Sequence, residues 1–124
     1  MNIFLDDQIY TDRKDWVPKG WVGVVNFAEF KAVFEEALTS AEKIEAISFD
    51  NDLGEGEKEG WEIVKWLTEE YPEFFAEQPE LLIHSANPEG RKNLSHYITL
   101  GLTHYAELIK AKSLPHPWGE IISD

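Results

Sequence analysis

Three short apolar runs, each broken off by polar residues, narrow the folds open to this chain: Ile3-Phe4-Leu5-Asp6-Asp7, Ile47-Ser48-Phe49-Asp50-Asn51-Asp52 and Leu82-Ile83-His84-Ser85-Ala86-Asn87. Runs this short, bounded so abruptly, read as buried strands rather than helices. Between them lie stretches with apolar residues at helical spacing, and strands that alternate with helices assemble into a parallel sheet. In an open parallel sheet the carboxyl ends of neighbouring strands converge on a crevice where ligands bind. Asp6, Asp7, Asp50 and Asp52 would then share one small volume.

Such crowding is costly without a partner. Two carboxylates about 5 Å apart repel by roughly 3 kcal/mol at an effective dielectric near 20. Either protons or a cation must relieve it, since like charges disfavour ionisation. An all-oxygen cluster is the ligand type hard divalent ions prefer, which favours a metal held by Asp6, Asp7, Asp50 and Asp52, Mg²⁺ first and Mn²⁺ as the alternative.

The order of elements follows from local signals. Asn2 to Leu5 is expected as the first strand, Gln8 to Gly20 as irregular, and Trp21 to Val25 as the second strand. Asn26 and Glu29 form a capping-box variant before a helix whose apolar face holds Phe27, Phe30, Phe34, Ala37 and Leu38, fraying near Ser40 to Lys43. Ala46 to Phe49 reads as a strand buried on both faces, followed by a Gly- and Glu-rich loop from Asp50 to Gly60. Trp61, Val64, Leu67, Thr68 and Tyr71 mark a helix that Pro72 ends or kinks, and Glu73 to Glu80 is a connector. Leu81 to Ile83 is the fourth strand; Asn87 then caps a helix opened by Pro88, with Leu94, Ile98, Leu102, Tyr105 and Ile109 on its buried face. One domain over residues 1–111 is expected, with a tail from Lys112 to Asp124 that could be an ordered strap, an edge strand at Glu120 to Ser123, or loose.

Charge and composition exclude several partners. The chain has 124 residues and a net charge of -13, so its field opposes long duplex nucleic acid and anionic lipid surfaces. A single phosphate, a nucleotide or the frayed end of an RNA stays possible, because such fields are screened within about 8 Å at physiological salt. There is no cysteine and no apolar run near the ~20 residues a bilayer requires, and the opening strand leaves no room for a leader, so a cytoplasmic location is expected.

An acidic pair after the first strand, an Asp ending the third and Ser-Ala after the fourth resemble the response-regulator receiver fold. Within that superfamily, Ile3-Phe4-Leu5-Asp6-Asp7, Gly20-Trp21, Ile47-Ser48-Phe49-Asp50-Asn51-Asp52-Leu53-Gly54, Gly60-Trp61 and His84-Ser85-Ala86-Asn87-Pro88 closely resemble the cyclic-phosphate processing receiver-like family, over about residues 2–105. The resemblance implies a receiver-like, flavodoxin-like α/β fold with four main parallel strands flanked by helices, the fifth strand degenerate or absent. It also implies action on cyclic phosphate ends of RNA or nucleotides. Carried over from receivers, Asp6 and Asp7 would hold the metal, Asp50 would be the phosphoacceptor and Ser85 the hydroxyl that senses phosphate. The chain departs twice from the pattern: family members usually carry His where Asn51 stands, and receivers carry a Lys after a fifth strand, for which Lys110 and Lys112 are poor substitutes.

Opening a cyclic phosphodiester needs a nucleophile, charge neutralisation and a proton for the leaving alkoxide. A metal on the carboxylates could polarise the phosphoryl group, with Asp50 and His84 as the catalytic pair, since an imidazole near pKa 6.5 suits acid or base work. The amides opening the helix after Asn87, with Arg91 one turn on, form a phosphate cradle, joined by Ser85 and Asn51 on the substrate side. Each residue has a structural alternative: Asp6 as a turn cap, Asp52 as a turn residue, His84 as a core histidine, Asn87 as a helix cap and Arg91 as a solvated side chain. Trp16, Trp21 and Trp118 could form a base-stacking wall, while Trp61 and Trp66, five apart, cannot share one helical face. Three functions compete: a metal-dependent phosphodiesterase, a degenerate receiver that binds phosphate or metal and signals to a protein partner, and an acidic nucleic-acid mimic.

Overall fold

A computed structural model of the chain describes residues 1–114. Its elements run β1 (Asn2–Leu5), β2 (Val22–Val24), α1 (Phe27–Thr39), β3 (Ala46–Phe49), α2 (Gly60–Glu70), α3 (Pro72–Ala76), β4 (Glu80–Ile83) and α4 (Pro88–Lys112). The four strands form one parallel sheet in the order β2-β1-β3-β4. Chain direction across the sheet therefore reverses at β1: the chain steps to β2 on one side and crosses back to β3 on the other. The crevice between the carboxyl ends of β1 and β3 is the switch point at which α/β sheets bind ligands.

Alternation along the strands splits the sheet into two unlike faces. Ile3, Leu5, Ile47 and Phe49 point into the main core with Phe30 and Phe34 of α1, Ile63, Val64 and Leu67 of α2, Phe75 of α3 and Leu94 and Ile98 of α4. Phe4 and Ser48, paired in register, lie on the other face with Gly23. There the turn-rich segment after β1 provides the cover. A side chain at Gly23 would run into Ile9, with Val17 close behind, so glycine here lets the segment lie flat on the sheet.

Several boundaries refine the sequence expectations. β2 and β4 are Val22–Val24 and Glu80–Ile83 rather than Trp21 to Val25 and Leu81 to Ile83. Asn26 caps α1 by accepting from Glu29 N at 2.9 Å, but Glu29 reaches back one residue further, to Val25 N at 3.0 Å. Leu38, expected on the buried face, is 44% exposed and lines an apolar cavity of about 370 Å³ with Ile44, Tyr71 and Phe74. Pro72 ends α2 and also opens α3, a short helix inside the expected connector, because a missing N–H is harmless at a helix's first position. Trp61 and Trp66 do part company: Trp61 stacks on Tyr97 of α4, while Trp66 packs edge-on against Phe27, Phe34 and Tyr71. α4 runs 25 residues, Pro88–Lys112, with a kink at His104. Trp118 and the edge strand considered at Glu120 to Ser123 lie outside the described residues. Among those residues the sheet has four strands, and no helix is long and apolar enough to cross a membrane.

Candidate functional site

The sheet ladder continues one residue past each strand end. Asp6 N donates to Val24 O, Asp50 N to Leu5 O and His84 N to Phe49 O, each at 3.0 Å. These bonds fix three titratable residues to the sheet rather than to loops. One ligand atom from each of Asp6, Asp50 and His84 lies within 4.8 Å of the others, a grouping able to hold a metal ion.

Sequence reading missed the group at the centre of this cluster. Arg13, from the irregular stretch, places Nη1 2.9 Å from Asp6 Oδ2 and 3.2 Å from Asp50 Oδ2. Its guanidinium carbon also lies 4.5 Å from the Trp16 ring centroid, a cation–π contact that restrains the side chain. The cation that relieves the carboxylate crowding is thus supplied by the chain. The available signal was slight: Arg13 is one of two arginines and follows the acidic pair closely.

Asp6 is fully buried and fully engaged. Its Oδ1 accepts from Gln8 N at 2.8 Å, and its Oδ2 accepts from both Arg13 and His84 Nε2, the latter at 3.1 Å. Because that oxygen is an acceptor, the His84 proton resides on Nε2, and Nδ1 accepts from the Ser48 hydroxyl at 2.7 Å. Phe4 stacks on the His84 ring at 4.3 Å and 7°, and Trp16 meets its edge at 6.5 Å. Burial lowers the His84 pKa from its usual value, against the pull of Asp6, so the imidazole is neutral at pH 7.

Asp50 behaves differently. Its Oδ1 accepts from Asn51 N at 2.8 Å, yet burial and then the Asp6 charge push its pKa up to about 6. Asp7 is also raised, first by burial and then by Asp6. Asp50, poised well above the ordinary carboxylate range beside a fixed guanidinium, can give and take a proton near neutrality.

Asp7, Gln8, Arg13, Asp50, Asp52, Gly54, Ser85, Ala86 and Asn87 line one cavity of about 310 Å³. Gly54 adopts φ +108°, a left-handed turn that favours glycine and lets the loop double back along the cavity wall. Asn87 Nδ2 donates to Asp52 at 3.3 Å, closing the far rim. Asn87 Oδ1 already accepts from Glu89 N and Gly90 N, so cap and cavity wall are one side chain, and those two helix-opening amides are occupied. Ser85 Oγ accepts from Asn87 N at 3.1 Å, while Arg91 turns to Ser85 O at 3.0 Å.

Asn51 is buried and faces away from this cavity. Its Oδ1 accepts from Trp61 N at 3.1 Å, its Nδ2 donates to Glu59 at 3.0 Å, and its side chain packs against Gly90. It pins the start of α4 to the start of α2. Trp21 meets Phe4 edge-on at 6.4 Å, so Trp16 and Trp21 both lie over the His84 face of the sheet.

The residues fit a divalent cation. The oxygen-rich set is of the type such ions prefer, and Asp50 belongs both to the buried grouping and to the cavity wall that Asp7 and Asp52 share. An ion bound at Asp6 and Asp50 would compete with Arg13 for the same oxygens.

The family model described as cyclic-phosphate processing receiver domain matches residues 1–100. No curated protein and no solved structure matches the chain.

Proposed function

The chain belongs to the cyclic-phosphate processing receiver-domain family, and from that premise we propose that its strand-end cavity binds a terminal phosphoryl group and opens a cyclic phosphodiester on an RNA end or nucleotide. The observation that carries this reading is Asp50 at the cavity wall, raised to about 6 beside the Arg13 guanidinium. A carboxylate near neutrality accepts a proton from water more readily than an ordinary one, and a forked donor matches phosphoryl oxygens.

Ring opening forms one bond from water oxygen to phosphorus and breaks one ester P–O bond. Arg13, the Ser85 hydroxyl and the Asn87 side-chain amide bind the non-bridging oxygens, and Asp50 accepts the proton released by the water. The departing alkoxide takes its proton from solvent at the open mouth of the cavity. His84, with both nitrogens engaged, holds Asp6, which in turn orients Arg13. A divalent cation, held by Asp50 with Asp7 and Asp52, or with Asp6 after displacing Arg13, would add neutralising charge and lower the pKa of bound water.

Mg²⁺ or Mn²⁺ with an oligonucleotide ending in a 2′,3′-cyclic phosphate tests the reading, the gain of one water being followed by mass spectrometry. Asp50→Asn is expected to reduce ring opening by at least about 100-fold. Unchanged turnover in that variant would exclude the site.

A second reading draws on Arg13, which already neutralises Asp6 and Asp50: a receiver-like module that binds phosphate or metal without turnover and signals to a protein partner. It predicts a raised melting temperature with beryllofluoride and Mg²⁺ and no ring opening under any condition.

A further inference from the structure

We propose that the outer face of α4 is a track for the polynucleotide strand that leads into the cavity, so that the substrate is a single-stranded RNA 3′ end rather than a mononucleotide. This rests on the proposed function of the cavity and extends it along the protein surface.

Acidic residues make up 24 of the 124 positions, yet none occurs between Gly90 and Ala106. That stretch instead carries Arg91, Lys92, His96 and His104. Within a chain of net charge -13 it is an acid-free stretch of helix, bounded by Glu89 in the first turn and by Glu107, 3.8 Å from His104, at the far end. Lys92, Ser95, His96, Thr99, Thr103 and His104 are exposed and line one shallow concavity of about 420 Å³.

The concavity and the site cavity lie along one helix. Asn87, the cap of α4, forms part of the cavity wall, and Arg91 sits one turn later against Ser85 O. From Lys92 to Thr103 the helix rises about 16 Å at ~1.5 Å per residue. That is the length of about five stacked nucleotides at ~3.4 Å each. The chemistry suits a single strand: Lys92 for phosphate, the hydroxyls of Ser95, Thr99 and Thr103 for phosphate or 2′-OH, and an imidazole ring for stacking. His96 meets Tyr97 edge-on at 4.8 Å, and Tyr97 is itself stacked on Trp61 at 5.8 Å, so the imidazole rests against a ring that is held in place from its other side.

Fluorescence anisotropy of 5′-labelled pentauridine 3′-phosphate, compared with uridine 3′-monophosphate as competitor, tests the track without requiring turnover. The pentamer is expected to bind about tenfold tighter than the monophosphate, with a log–log salt slope near −1.4 for two backbone contacts at Arg91 and Lys92. Lys92→Glu with His96→Glu should abolish that advantage and leave the monophosphate affinity and the melting temperature unchanged. Equal affinity for the two ligands in the unaltered protein, or a retained advantage in the double variant, overturns the track. Oligoglutamate that displaces the pentamer at comparable concentration would also overturn it, pointing to an acidic protein partner. If a pentamer ending in a free 3′-OH binds as tightly and still depends on Lys92 and His96 while the monophosphate does not bind, the track stands and the phosphoryl reading of the cavity falls.

Discussion

Arg13 Nη1 lies 2.9 Å from Asp6 Oδ2, joining a half-exposed turn to a carboxylate with no solvent contact at all. Burying Asp6 is tolerable because this partner comes with it, and hydrogen bonding to Asp6 raises the Arg13 pKa further. Removing the guanidinium while leaving Asp6 and Asp50 in place should therefore cost about 2–4 kcal/mol of unfolding free energy. Arg13→Met tested by urea denaturation in chelator is expected to show this loss. Millimolar Mg²⁺ should restore more stability to the variant than it adds to the unaltered protein, since the ion then takes oxygens the guanidinium has vacated. Equal Mg²⁺ responses in the two proteins would mean that these oxygens do not bind the cation.

The raised Asp50 pKa has a definite sign in a stability profile. A carboxyl at about 6 in the folded protein and 3.8 in the unfolded chain favours its neutral form on folding. Its contribution is full below pH 3.8 and is lost as the pH rises through about 6. At about 1.36 kcal/mol per pKa unit the loss is at most about 3 kcal/mol. Asp50→Asn, measured in chelator, should be more stable than the unaltered protein at pH 7.5 by about 1–3 kcal/mol and should converge with it near pH 4. Parallel profiles for the two proteins across that range would contradict the assignment.

Ser48 and His84 offer a spectroscopic check. The hydrogen bonds place the imidazole proton on Nε2, so nitrogen-detected NMR at pH 7 should report the Nε2–H tautomer. Ser48→Ala should cost about 1–2 kcal/mol by leaving Nδ1 without its donor. The His84 pKa is lowered by burial, so this residue stabilises the fold above its ordinary pKa and withdraws that contribution as the pH falls. An Nδ1–H signal would require the hydrogen bonds around His84 to be reassigned.

Gly90 should resist a substitution that usually helps helices. Alanine in a helix interior is ordinarily better than glycine by about 1 kcal/mol. Here a Cβ would stand 2.5 Å from Asn51 Nδ2 and 2.7 Å from Asn51 Cβ. Gly90→Ala is expected to destabilise by about 1–3 kcal/mol, read from thermal or urea melts. Gly60→Ala should be worse, because its Cβ would meet the Asp50 backbone carbonyl, which cannot turn aside. A stabilised Gly90→Ala protein would show that α4 and Asn51 are not in contact.

Strand ends and helix starts were legible because each is marked locally. Asp6 and Asp50 follow apolar runs too short to be anything but strands, and Asn87-Pro88 announces a helix. Arg13 was not legible, since its partners lie seven and 37 residues away and the turns between carry no period to read. Asn51 was misleading for a related reason. It adjoins Asp50, but successive residues at a strand end point to opposite sides, and its amide turns to α2 while Asp50 turns to the cavity. α3 escaped notice because Pro72, read as a terminator, serves equally as a first residue. The four carboxylates also proved unequal: Asp6 is an interior anchor, whereas Asp7, Asp50 and Asp52 line the cavity.

The segment between β1 and β2 performs two tasks with one stretch of backbone, lying over Phe4 and His84 through Ile9, Val17 and Trp16 and carrying Arg13 to the acids. These tasks cannot be separated by a local opening event. If the segment lifts, the sheet face is wetted and the site loses its positive charge in the same motion, leaving repelling acids that hinder closure. Occupancy of the cavity is thereby coupled to protection of this segment, and ligands that engage Arg13 should slow both its amide exchange and its cleavage by proteases.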